Sequence, residues 1–143
     1  MTKDFLMLIA GAVIGFIISM ITINYQEYKD QKRANKICEI ELFKISKLIT
    51  PFVNHKEGIS TDEIPNFKMT TQIDIFLSLN DKLRTNVYDI TTDLESAENN
   101  RKRAYSLLNQ PDKINELNLY GMLYHDYLKC AQTKIEELKD KLK

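Results

Sequence analysis

Few side chains in this sequence are equipped for chemistry. There are two histidines, His55 and His125, and two cysteines, Cys38 and Cys130. Neither histidine has a second His or a Cys at the short spacing that a tetrahedral metal site draws on. His125 adjoins Asp126, a pairing that suggests a base and its orienter. Adjacent residues on a helix diverge by about 100°, however, and no nucleophile is indicated beside them. The carboxylate pairs Asp62–Glu63 and Glu136–Glu137 fall at loop and exposed-helix positions, where acids are solvated. Phosphate-binding glycine loops, nucleophile elbows, HExxH and calcium-loop patterns are missing from the sequence. The expectation is a non-catalytic chain with no metal, no cofactor and no small-molecule substrate. In a reducing compartment Cys38 and Cys130 read as small buried apolar residues. In an oxidising one they are candidates for a disulfide between the first and last helices.

Charge narrows the partners. The 143 residues carry 20 Lys+Arg and 20 Asp+Glu, a zero balance that argues against a nucleic-acid binder. Basic residues nonetheless cluster twice. Lys29, Lys32, Arg33 and Lys36 follow an apolar stretch directly, where each gains about 1 kcal/mol against an anionic leaflet. Arg101, Lys102 and Arg103, with Lys113 beyond them, form the second cluster. It approaches headgroups only if its helix descends towards a bilayer, and is otherwise an ordinary charged surface.

The apolar stretch runs from Phe5 to Ile23 and contains no charge; its only polar side chains are Ser19 and Thr22. As a helix it covers roughly 28 Å, close to the hydrocarbon thickness of a bilayer. A cleaved secretory signal would have a shorter apolar run and a small-x-small exit, whereas this one leaves through Thr22-Ile23-Asn24-Tyr25. Residues 1–24 are therefore read as a single-pass membrane anchor, with Tyr25 and Tyr28 at the headgroup layer. Gly11 and Gly15, continued by Ser19, form a small-xxx-small face suited to close contact with another membrane helix. Lys3 alone stands before the segment and four basic residues follow it, so the larger domain is expected on the cytoplasmic side.

Everything after the anchor reads as helix. Residues 25–52 form a juxtamembrane extension, with Cys38, Leu42, Ile45, Ile49 and Phe52 on one face and an end or kink at Thr50-Pro51. Residues 53–70 are the main loop, with a helical turn expected at Ser60 from the Ser60/Glu63 capping pattern. Residues 71–143 form an antiparallel coiled-coil hairpin. Its first arm starts at Thr71 with Asp74, and its seam steps by three and four through Ile73, Phe76, Asn80, Leu83, Val87, Ile90, Leu94, Ala97, Arg101, Ala104 and Leu108. Pro111 suits the first turn of the second arm. That seam is Ile114, Leu117, Gly121, Tyr124, Leu128, Ala131, Ile135, Leu138 and Leu142.

A short turn between two such helices makes them fold back on each other. The resulting register sets Arg101 opposite Gly121, Ala97 near Tyr124, Ala104 near Leu117 and Ile90 near Ala131, large facing small. Arg101 is expected to snorkel across Gly121 to water, and Asn80 to be a polar seam residue at the open end. The remaining apolar surface of the last helix, Leu119, Tyr120, Met122, Leu123 and Tyr127, needs another cover: the juxtamembrane helix is the favoured one and a second protein chain the alternative. The fold class is thus all-α: a membrane helix continuing into a three-helix antiparallel coiled-coil bundle.

Three function classes follow. The leading one is a structural subunit or scaffold that recruits a protein partner, or a second copy, at a membrane. The layout also resembles the inner-membrane subunit of phage spanins: a short N-terminal tail, one membrane helix, the polar run YQEYKDQKRANK and a helical domain. That resemblance implies a mechanical lysis role with the domain in the envelope space, against the charge bias. A holin-like pore former is the third class, and the long polar remainder fits it poorly.

Overall fold

The computed structural model describes residues 2–54, 58–67 and 72–142. All regular structure among them is helical: α1 (Thr2–Asn54), α2 (Ile73–Ser78), α3 (Asp81–Leu107) and α4 (Ile114–Leu142), with a 3-10 turn at Pro111–Lys113 leading into α4. His55 and Thr71, two residues of the sequence reading, lie outside the described residues.

At 53 residues, α1 is roughly 80 Å long and unbroken. Its first part is surrounded by nothing: every described side chain from Ile9 to Ile23 is exposed. From Ala34 onward a stripe turns inward, and Ala34, Cys38, Leu42, Ile45 and Ile49 are all buried. The 3-4 spacing of those residues puts them on one face, as an amphipathic helix requires. The helix does not stop at Thr50-Pro51. Pro51 sits within the last turn, where its missing N–H forfeits a single bond, and the Thr50 hydroxyl donates to Ser46 O at 2.7 Å.

α3 and α4 pack along their lengths, α1 packs against α4, and α2 packs against α1. The seam positions from Leu83 to Ala104, and Tyr124, Leu128, Ala131, Ile135 and Leu138 in α4, are buried. At the turn the burial shifts by one residue, so that Leu107 is buried and Leu108 is exposed. An ion pair ties the two helices: Lys134 Nζ lies 2.6 Å from Asp93, a carboxylate buried on α3. α1 is tied to α4 through Ser46, whose hydroxyl donates to Glu136 Oε1 at 2.7 Å while Lys139 closes the group 2.9 Å from the same carboxylate.

The first arm of the hairpin is not one helix. The chain leaves helical geometry at Leu79 (ψ 147°) and Asn80 (ψ 157°), and α3 begins afresh at Asp81. Asn80 is exposed, and its Oδ1 accepts from Leu83 N at 2.9 Å. It is therefore the N-cap of α3 and not a polar seam residue. An amide that satisfies an orphan helix N–H outcompetes the same amide forced into an apolar seam. The buried residue at this level is Leu79.

The loop is also different from its sequence reading. Residues 58–67 form no helical turn, and the Ser60 hydroxyl accepts from Asp62 N within a local bend. Gly58 makes the entry with φ 82°, a conformation that glycine adopts without a Cβ clash. Ile64 and Phe67 are buried in the same core as the helices, and Ile59 packs against it.

Candidate functional site

Among the described residues, no group of three His, Cys, Asp or Glu is placed to hold a metal ion. His125 Nε2 lies 3.1 Å from Gly58 O, a contact that places the proton on that nitrogen, and its ring meets Tyr124 edge-on at 4.8 Å. It secures the loop entry. Both cysteines are free, so the bridge between Cys38 and Cys130 is not formed. Cys38 is fully enclosed, and burial pushes its thiol up to about 12, whereas Cys130 is exposed.

α1 is one helix long and apolar enough to cross a membrane. Gly11, Gly15 and Ser19 share a face of it, and a Cβ built at either glycine would meet nothing within 4 Å. Thr22 returns its hydroxyl to Ile18 O at 2.8 Å, leaving that donor satisfied without water. Beyond Ile23, Lys29, Lys32, Arg33 and Lys36 recur at i, i+3, i+4 and i+7. They form one exposed basic face of α1, on the side away from the buried Ala34–Cys38 stripe.

A neighbouring side of α1 at that level is occupied by α2, and Arg33 borders both. A cleft of about 550 Å³ is lined by Asn24, Glu27, Tyr28, Asp30 and Gln31 from α1 and by Leu77, Ser78 and Leu79. Next to it, Asp30, Arg33, Ala34 and Ile37 face Asp74, Ile75 and Ser78. α2 thus runs back along α1 towards the apolar segment, and its last residues lie nearest that segment. The turn into α3 is held by Arg84, whose Nη2 donates to both Leu77 O and Leu79 O at 3.0 Å.

α3 starts at this turn and runs away from the apolar segment. The Arg101–Arg103 cluster therefore lies at the end of the molecule far from the apolar segment. Lys102 and Arg103 are exposed there; Arg103 lies over the Tyr120 ring at 5.6 Å. Arg101 is buried and does not cross to Gly121. It forms a bidentate pair with Glu98, Nε and Nη2 each 2.7 Å from a carboxylate oxygen, and Nη1 donates to Thr61 O at 3.1 Å. Glu98 also accepts from Ile64 N at 3.1 Å. The space over Gly121 is filled by Ile59, 3.7 Å from a built Cβ. Burial pushes the Glu98 carboxyl up, but the hydrogen bonds from Arg101 and Ile64 and the charges of Arg101 and Lys102 outweigh it and hold it below the usual range.

This clasp was not anticipated from the sequence, although Glu98 and Arg101 stand at i, i+3, the spacing of a helix ion pair. Leu119 and Met122 were assigned to α1 and are instead exposed, because the loop, not α1, covers the distal half of the hairpin. Exposed apolar residues also remain on α1 itself, at Ile40, Phe43 and Leu48.

No protein-family model, curated protein or solved structure shows significant similarity to the chain.

Proposed function

We propose that this chain is a non-catalytic, single-pass membrane protein whose helical domain is a structural subunit or scaffold in a membrane-associated assembly. The observation that carries it is the continuity of α1. One helix presents an exposed, uncharged stretch up to Ile23, a basic face at Lys29–Lys36 and a core-forming stripe from Ala34 to Ile49. Any bundle built on that stripe is coupled rigidly to whatever holds the apolar end. In this reading α1, α3 and α4 form an antiparallel coiled-coil bundle standing off the bilayer on the cytoplasmic side. Its exposed apolar residues, Leu119 and Met122 at the distal end and Ile40 and Phe43 nearer the membrane, offer partner contacts, and Gly11, Gly15 and Ser19 offer one to a second membrane helix.

Cys130 provides the test. It is exposed while Cys38 is enclosed, so a membrane-impermeant thiol reagent reports on one position. Protection in intact cells and labelling after permeabilisation is the expected result. Labelling from outside would overturn the cytoplasmic placement and favour the spanin-like layout. Recovery of all the protein in the soluble fraction after cell lysis would overturn the anchor itself.

A further inference from the structure

We propose that the turn between α2 and α3, residues 77–82, is a second membrane contact, with Leu77 entering the headgroup layer of the same bilayer that α1 crosses. The inference rests on the membrane-anchor reading above and adds to it where and how the folded domain touches lipid. Its basis is level. Leu77 and Ser78 line one cleft together with Asn24, Glu27, Tyr28, Asp30 and Gln31. Those α1 residues stand roughly 2–12 Å beyond Ile23, the end of the apolar segment. The headgroup layer extends about 5–8 Å outside the hydrocarbon, so the level of the turn overlaps it.

Composition and rigidity agree with that level. Leu77 is 58% exposed at this end, although Leu79, two residues on, is 2% exposed. An apolar side chain left outward at the domain edge nearest the lipid gains by entering the interface. The two Arg84 hydrogen bonds to Leu77 O and Leu79 O hold the turn against α3, and α2 holds it against α1. Leu77 is therefore positioned by the fold and does not have to find the surface from a mobile loop.

The charges on the two sides of α1 differ. Glu27, Asp30 and Asp74 line the α2 side together with Arg33, while Lys29, Lys32 and Lys36 lie on another face. On the α2 side the acids outnumber Arg33, and in the turn Asp81 offsets Lys82, so the contact made by Leu77 is apolar and needs no anionic lipid. Two contacts, the α1 helix and this turn, then fix the tilt of the domain on the membrane.

The test uses the full chain in vesicles of phosphatidylcholine with and without phosphatidylglycerol. An environment-sensitive fluorophore is attached through Leu77→Cys in a Cys130→Ser background, with Ile17→Cys and Ile114→Cys as references. The expected result is several-fold stronger quenching at position 77 than at 114 by nitroxide placed at the lipid headgroup, unchanged when phosphatidylglycerol is omitted. Position 17 should be quenched best by nitroxide deep in the acyl chain. Quenching at 17 with position 77 matching 114 overturns the proposal and leaves the anchor intact. No quenching at 17 overturns both. Loss of quenching at 77 when phosphatidylglycerol is omitted overturns the apolar contact. All three replaced residues are exposed, so the labels do not enter the core.

Discussion

Arg101 grips Glu98 one turn back on the same helix, with two 2.7 Å bonds, and extends its remaining nitrogen to Thr61 O in the loop. The pair is buried, and its remaining hydrogen bonds go to backbone that has left helical geometry. Glu98 completes the arrangement by accepting from Ile64 N. A buried ion pair contributes little net stability by itself, but breaking one side leaves a charge without its partner. Its role here is to fix residues 58–67 across the end of the hairpin that α1 does not reach.

Arg101→Met is accordingly expected to destabilise the domain by on the order of 2 kcal/mol, because Glu98 then remains desolvated with one partner fewer. Glu98→Gln should cost less than that, since the amide still accepts from Ile64 N. Urea unfolding of the full chain in detergent, followed by helical circular dichroism, reads both. Equal stability of Arg101→Met and the parent would show that the guanidinium reaches solvent and carries no clasp.

Acid should loosen both this clasp and the Ser46–Glu136 tie between α1 and α4. The Glu98 carboxyl is held low by Arg101, Ile64 and Lys102 against its burial, and Glu136 is held low by the hydrogen bonds from Lys139 and Ser46. A folded-state pKa below the unfolded one gives stability that is fully present above the unfolded value of about 4.3 and lost as pH falls through the folded values. The unfolding midpoint should therefore be level near neutrality and drop below about pH 4.3, with a shallower drop in Glu98→Gln. A parent and variant with superimposable pH profiles would refute the contribution of Glu98.

Much of this architecture was legible in the residue pattern. The run Leu83, Val87, Ile90, Leu94, Ala97 in α3 and the run Tyr124, Leu128, Ala131, Ile135, Leu138 in α4 alternate by three and four, and every one of them is buried. Local periodicity reports such faces directly, because a helix that packs on one side must repeat them. The same rule misled at Ile73, Phe76 and Asn80, which continue the spacing formally while the chain breaks at Leu79. A capping amide followed by Asp81 competed with the heptad there, and the two signals occupy the same letters. Ile64 and Phe67 were unreadable for another reason. They flank Pro65 and Asn66 in a segment without regular structure, where no period marks a side chain as inward. The Glu98–Arg101 clasp likewise depends on where the loop lands, a long-range relation that spacing along one helix does not encode.

The break at Asn80 predicts an outcome opposite in sign to a continuous seam. In a seam, Asn80→Leu replaces a costly buried amide and stabilises. As the N-cap of α3, Asn80 accepts from Leu83 N at 2.9 Å, and its loss should cost about 1 kcal/mol, while Asn80→Asp is nearly neutral. Denaturant midpoints of the two variants, measured side by side, decide between the arrangements.

The two thiols should react at very different rates. Cys130 is exposed, whereas Cys38 is enclosed and its thiol is pushed up to about 12 by burial. Native protein at neutral pH should therefore titrate one fast thiol with a disulfide reagent, and the second only on unfolding. Because the raised value favours the protonated folded state, the Cys38 contribution to stability is full below its unfolded pKa of about 8.5 and is lost as pH rises towards 12. Two fast thiols in the folded protein would place Cys38 outside the core.

Gly121 offers the sharpest test of the hairpin interior. Were Arg101 to cross over it, a methyl group would obstruct the guanidinium stem and Gly121→Ala would destabilise. In the structure a Cβ at this position meets only Ile59 side-chain atoms, at 3.7 and 3.9 Å, which is ordinary van der Waals contact. The backbone is mid-helix and needs no glycine. Alanine then contributes its greater helix propensity, about 0.5–1 kcal/mol, and adds a small contact to Ile59. Gly121→Ala is thus expected to raise the unfolding midpoint, and Gly121→Leu to lower it by displacing Ile59 and loosening the loop. If alanine destabilises as much as leucine, the loop does not lie where Thr61, Ile64 and Ile59 place it.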